Sequence, residues 1–193
     1  MEDSLLVGDF IVASKHSYGY SKYSLPFNLP IIPKRIFYRL PQRGDIALFR
    51  PPQDPYKHYI KRVIGLPGDK VQFRQGVLYL NGIKVERELV NSYYNGNILF
   101  SEYKESLPNG KSYNILETNK DDATLNTPVY KVPENCFFMI GDNRNASKDS
   151  RFLNEVGYIS SENLVGKATL VLLSIDKNHA PFIRVSRIFK VLS

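Results

Sequence analysis

Lys61 lies in Tyr59-Ile60-Lys61-Arg62-Val63-Ile64, a lysine flanked by apolar residues on a strand pattern. A lysine amine accepts a proton only when neutral, and its ordinary pKa is about 10.4. Burial against apolar neighbours lowers that value by penalising the charged form. A neutral lysine can then activate a serine hydroxyl, which is a poor nucleophile until a base takes its proton. On an extended strand Lys61 shares a face with Tyr59 and Val63, while Ile60, Arg62 and Ile64 take the other. The same spacing also fits a lysine on the wet face of an edge strand. Ser147 follows Asn145-Ala146, a setting that suits a turn serine. Asp149 and Arg151 stand two apart, so in an extended segment they face the same side. His58 adjoins the lysine block, but no Gly-x-Ser-x-Gly accompanies it, so it reads as a surface or pocket-rim residue. Cys136, in an apolar strand pattern, reads as a buried, inert thiol.

Short β-strands must carry these residues. Strand signals fall at Asp9–Ala13, Asp45–Phe49, Tyr59–Ile64, Lys70–Phe73 and Val77–Leu80, then Ile83–Val85, Val129–Val132, Cys136–Ile140 and Ala168–Ser174. Asn81-Gly82 is the strongest hairpin signal, because both residues tolerate positive φ. Helix signals are weak: Ser160 or Ser161 caps at most one turn through Leu164. Tyr18–Pro33 is rich in Tyr, Ser and Pro and has no clean period. Residues 86 to 127 are polar, with turn signals and little periodicity, which predicts an inserted unit rather than a loop. The expected organisation is an all-β, mainly antiparallel fold. Its core comprises residues 1–83 and 128–193, with a β-rich subdomain inserted at 84–127.

The 193 residues are 42% hydrophobic and 23% charged, enough apolar material for a sizeable core. A single cysteine excludes an internal disulfide framework, and three scattered histidines give no zinc pattern. No window approaches the roughly 18 apolar residues of a membrane span, and Glu2 and Asp3 do not open a signal peptide. The net charge of +7 permits nucleic acid, an anionic membrane surface or an acidic substrate, and selects none of them. Two basic stretches stand out: Lys34, Arg35, Arg39, Arg43 and Arg50, and then Arg184, Arg187 and Lys190 among Ile183, Val185, Ile188 and Phe189. Each suits anionic headgroups or simply water.

Four blocks carry a resemblance. They are Met1 to Phe10, Arg43-Gly44-Asp45, the run Tyr59 to Asp69, and Gly141-Asp142-Asn143-Arg144 continuing to Ser147, Asp149 and Arg151. In order and spacing they resemble the conserved boxes of the bacterial type I signal peptidases, membrane-bound serine proteases of the S26 type with a Ser–Lys dyad. The first block resembles that family's Ser-Met-x-Pro-Thr-Leu-x-x-Gly-Asp motif, with Asp3 in place of proline and Ser4 in place of threonine.

The resemblance implies Lys61 as general base, Ser147 as the hydroxyl that orients its amine, and Asp149 with Arg151 as a supporting pair. It implies a nucleophilic serine immediately before Met1, so the chain as written is expected to be inactive. Its membrane anchor and a second oxyanion-binding hydroxyl are likewise expected upstream. Ser4 is a poor substitute nucleophile, three residues past Met1 and turned to the other strand face. Met1, Leu5 and Tyr59 are implied as one small-residue pocket, and Ile11, Leu48 and Ile60 as the other. The implied reaction removes signal peptides from exported preproteins through an acyl-serine. It implies no cofactor or metal. It also implies a membrane surface as partner, no nucleic acid, and a place on the outer side of the bacterial cytoplasmic membrane. Two alternatives remain at this level. A repressor-type Ser–Lys autoprotease would need a DNA-binding module and an Ala-Gly cleavage site. A basic β-barrel for single-stranded nucleic acid would need aromatics interleaved with Lys and Arg on one sheet face.

Overall fold

A computed structural model describes residues 4–24, 32, 34–120, 122–176 and 182–192. All of its strand pairs are antiparallel, and they form three sheets. The first has seven strands. β1 (Asp9–Ser14), β13 (Leu164–Ser174), β2 (Ile46–Phe49), β3 (Tyr59–Gly65), β11 (Cys136–Ile140) and β12 (Ile159–Ser160) lie in that order, and β14 (Lys190–Val191) pairs with β13. The second has the order β10 (Tyr130–Lys131), β4 (Lys70–Arg74), β5 (Val77–Leu80), β6 (Ile83–Lys84). The third is β7 (Glu86–Asn95), β8 (Ile98–Ser106), β9 (Ser112–Thr118).

Strand alternation sorts the side chains as the residue pattern requires. Val63 packs into one core with Ala47, Phe49, Phe137 and Met139, and Tyr59 leans on it. Ile60 packs on a different core with Leu5, Ile46 and Ala168. Ile64 joins a third core, in which Val71, Phe73 and Leu78 of the second sheet meet Val85, Leu107, Tyr113 and Ile115. The Asn81-Gly82 turn between β5 and β6 has both residues at positive φ (54° and 82°), the geometry of a tight hairpin. Ser160 caps the short 3-10 turn Ser161–Asn163, its hydroxyl accepting from the Glu162 amide.

Several expectations change. The stretch 86 to 127 contains three strands of ten, nine and seven residues, where the sequence shows little period. β7 is exposed on both faces, so it lacks the apolar alternation that marks a half-buried strand. Cys136 is half-buried rather than buried, because it opens β11 and lies only partly packed against the second-sheet core. Part of the Tyr18–Pro33 stretch lies outside the described residues, as do Met1, Glu2 and Asp3.

Candidate active site

β2 and β11 flank β3 unequally. β2 pairs with Tyr59 through Arg62, whereas the β11 pairing covers only Arg62 to Gly65. Among the described residues, Tyr59, Ile60 and Lys61 therefore have a strand partner on one side only. Lys61 is largely but not wholly buried, because its strand neighbour ends at Ile140.

Past β11 the chain turns through Gly141 and returns its next hydroxyl to the lysine. Lys61 Nζ donates to Ser147 Oγ at 2.9 Å. Gly141 makes that approach possible. A Cβ there would stand 2.1 Å from Ser147 Oγ, 2.6 Å from its Cβ and 3.3 Å from Lys61 Nζ. Burial pushes the Lys61 amine below its ordinary range, and Arg151 adds to this while Asp149 and Asp142 oppose it.

Asp149 is fully buried and holds the loop from below. Its carboxylate accepts from Arg151 Nε at 2.9 Å, Arg151 Nη2 at 2.9 Å and the Gly141 amide at 3.1 Å. Burial alone would raise its pKa, but Arg151, the Ser147 hydroxyl and the Gly141 amide together bring it below the ordinary value. Asp149 and Arg151 meet in a turn rather than in the extended segment expected. The Arg151 amide bonds Asp149 Oδ1 at 3.2 Å and the Phe152 amide bonds the Asp149 carbonyl at 3.0 Å. An aspartate that captures its own downstream N–H groups favours such a turn. The pair is also buried rather than exposed, so removing one partner would leave an uncompensated buried charge.

Ser4 lies in a different hydrogen-bond set. Its hydroxyl donates to Asp142 Oδ2 at 2.5 Å and accepts from Arg62 Nη2 at 3.2 Å. It thus sits with the side chain of Arg62, on the face opposite Lys61. Of the pocket residues, Leu5 packs with Ile11 and Ile60. Tyr59 packs beside Phe49, their ring centroids 6.1 Å apart, on the other face, so core packing does not gather Leu5 with Tyr59. Leu48 is half-buried and pairs with Ile60 across β2 and β3. Met1 lies outside the described residues. His58 is exposed, with Arg50 Nε 3.3 Å from its Nε2.

The basic stretches are largely committed to structure. Arg35 donates to the carbonyls of Ser161, Gly19 and Leu164, and Arg43 pairs with Asp69 at 2.8 Å. Arg187 pairs with Asp9 and Arg184 with Asp176. Residues that the sequence did not single out also enter the site's frame: Glu105 and Tyr113, which meet Arg144 and Arg62. Nothing in the sequence sets this carboxylate and phenol apart within strands of mixed polar and apolar residues.

A family model for signal peptidase, peptidase S26, matches residues 1–173. Signal peptidase I of Rickettsia typhi (strain ATCC VR-144 / Wilmington) is 44% identical over 183 residues, 90% of this chain and 69% of that protein. Signal peptidase I of Rickettsia akari (strain Hartford) is 43% identical over 187 residues, 92% of this chain and 70% of that protein. A crystal structure of a signal peptidase I from Enterococcus faecalis V583 shares 29% identity and covers 67% of this chain and 97% of its own, with a TM-score of 0.40. The chain belongs to the signal peptidase family, peptidase S26. Its class is thereby that of a serine-type endopeptidase that removes signal peptides. Among the described residues no helix is long and apolar enough to cross a membrane.

Proposed function

We propose that Lys61 is the general base of a Ser–Lys dyad whose nucleophilic serine stands immediately before Met1 in the full protein. The observation that carries this reading is the 2.9 Å Lys61–Ser147 contact seated against Gly141. A neutral amine that donates one N–H to Ser147 keeps its lone pair free. Ser147 donates its own hydroxyl hydrogen bond to Asp149, whose charge Arg151 balances. The relay thus orients the lone pair without consuming it.

Lys61 takes the serine proton as the serine oxygen bonds the scissile carbonyl carbon. It returns that proton to the leaving amine as the peptide C–N bond breaks. A water oxygen then bonds the acyl carbon as Lys61 takes its proton, and Lys61 returns that proton to the serine oxygen as the ester C–O bond breaks, so no cofactor is required. The free side of Tyr59, Ile60 and Lys61 suits an extended peptide added as a strand, with alternate side chains entering pockets. The resemblance assigns Met1, Leu5 and Tyr59 to the pocket for the residue before the cut, although Leu5 and Tyr59 pack against different cores. Ile11, Leu48 and Ile60 line the pocket two residues further back. Both admit small side chains.

The substrates are exported preproteins, processed at the outer side of the bacterial cytoplasmic membrane. Exposed apolar side chains support apposition to the bilayer: Val7, Val185, Phe189 and Val191 are each at least two-thirds exposed. The segment 84–127 is read as an insertion between core halves 1–83 and 128–193.

The test is cleavage of a preprotein peptide with Ala at the first and third positions before the cut. The chain begun at Met1 does not cleave it. The chain extended by its serine-bearing upstream sequence does, and Lys61→Met in that form abolishes cleavage. Cleavage by the unextended chain that vanished in Ser4→Ala would transfer the nucleophile to Ser4.

A further inference from the structure

The loop that delivers Ser147 is bonded to the third sheet on both sides of Asn143. The Leu116 amide of β9 donates to the Asp142 carbonyl at 2.8 Å, and the Arg144 amide donates back to the Leu116 carbonyl at 2.8 Å. One step on, the Thr118 amide donates to Asn145 Oδ1 at 2.8 Å. β9 therefore runs along residues 142 to 145 as a short parallel bridge, immediately before Ala146 and Ser147.

Side chains close the same connection into a ring. Arg144 forks onto the Glu105 carboxylate of β8, with Nη1 to Oε1 at 3.0 Å and Nη2 to Oε2 at 2.5 Å. Tyr113 of β9 donates to the same Glu105 at 2.7 Å. The Arg62 guanidinium of β3 lies 4.1 Å from the Tyr113 ring centroid and returns to the loop through Asp142 at 2.9 and 3.0 Å. Glu105 has no exposed surface, and a bidentate charged pair in a dry setting fixes direction as well as distance. Arg151 donates to the Arg144 carbonyl at 2.5 Å, which joins this ring to the Asp149 anchor under Ser147.

We propose that the three-stranded sheet is a splint for the Ser147 loop, and that Glu105 is a positioning residue for the Lys61–Ser147 pair. Glu105 touches no reacting atom; it acts through Arg144. The inference rests on the reading of Lys61 as the base. It assigns to a part of the chain distant in sequence the task of keeping that base oriented and dry.

The probe is the titration midpoint of the Lys61 amine, followed by NMR in the 193-residue chain carrying 13Cε-lysine, with the resonance assigned by its loss in Lys61→Met. The charged groups that face this amine are Asp149, Arg151 and Asp142, and none is altered in the variants. In Glu105→Gln one arm of the fork is lost, the loop loosens and water reaches Lys61. The midpoint is expected to rise, the proton-dissociation constant falling about tenfold. Loss of a remote negative charge acting through space would move it the other way, and a purely structural role would lower the melting temperature without moving it. An unchanged or lowered midpoint overturns the proposal. If Glu105→Gln does not fold, Asn145→Ala decides by the same criterion, since Asn145 is only half-buried. A Lys61 that titrates in the ordinary lysine range in the unaltered chain overturns the dyad reading instead.

Discussion

Gly141 and Ser147 share space that a single methyl group would fill, for a Cβ on Gly141 would stand 2.1 Å from the Ser147 hydroxyl. Real side chains do not approach that closely, so one of the two must move. The neighbour is not a flexible chain end: the Ser147 Cβ itself would be 2.6 Å away. Gly141→Ala in the serine-extended protein is therefore expected to lose about 10²–10⁴-fold in kcat, the range of a misplaced general base. Peptide binding, measured by competition, should change far less.

Asp149 tests the support beneath that contact. Asp149→Asn leaves Arg151 buried without its counter-ion, a change that costs about 3–5 kcal/mol when one partner of a buried pair is removed. Denaturant unfolding at neutral pH reads it. The folded Asp149 pKa lies below the unfolded value, so its stabilisation is full above the unfolded value and is lost as pH falls through the folded one. The difference between parent and variant should shrink once pH drops below about 3.9.

Lys61 gives the same slope for a different reason: the folded chain penalises its cation rather than favouring an anion. Burial holds its folded pKa below the ordinary range, so below the folded value both states are protonated and the folded chain bears a cation poorly hydrated. Between the two values the unfolded chain binds more protons, and stability rises with pH. Lys61→Met removes that cost. Thermal unfolding should show the variant more stable than the parent at neutral pH, with the gain fading as pH approaches about 10.4.

Much of the fold follows from local pattern. β3, β5 and β11 coincide with runs of Val, Ile, Leu, Phe and Tyr, because each has at least one buried face and so must alternate or stay apolar. β7 obeys no such demand. Its exposed Leu89, Val90 and Tyr94 give a strand set by hairpin pairing and by the stacked Tyr93 and Phe100 rings, 5.3 Å apart. The Lys61–Ser147 contact spans 86 positions, a separation that no periodicity reports; it was expected only because both residues lie in blocks that resemble one family. Asp149 and Arg151 are joined by a turn and not a strand, so the same-side argument from an extended segment does not apply to them, and their pairing follows only from the resemblance. The Glu105–Arg144 fork had no sequence signal, because a buried carboxylate on a polar strand looks like any exposed one.

The most direct test compares two midpoints in the serine-extended protein. One is the pH at which kcat/KM for the preprotein peptide reaches half its maximum on the acidic side. The other is the NMR titration midpoint of the Lys61 amine in the same protein. A base that must be neutral makes activity rise with pH through its own pKa. The two midpoints should coincide, and both should fall below about 10.4. A Lys61 that titrates at its ordinary value while cleavage is already maximal at lower pH would contradict its role as the base.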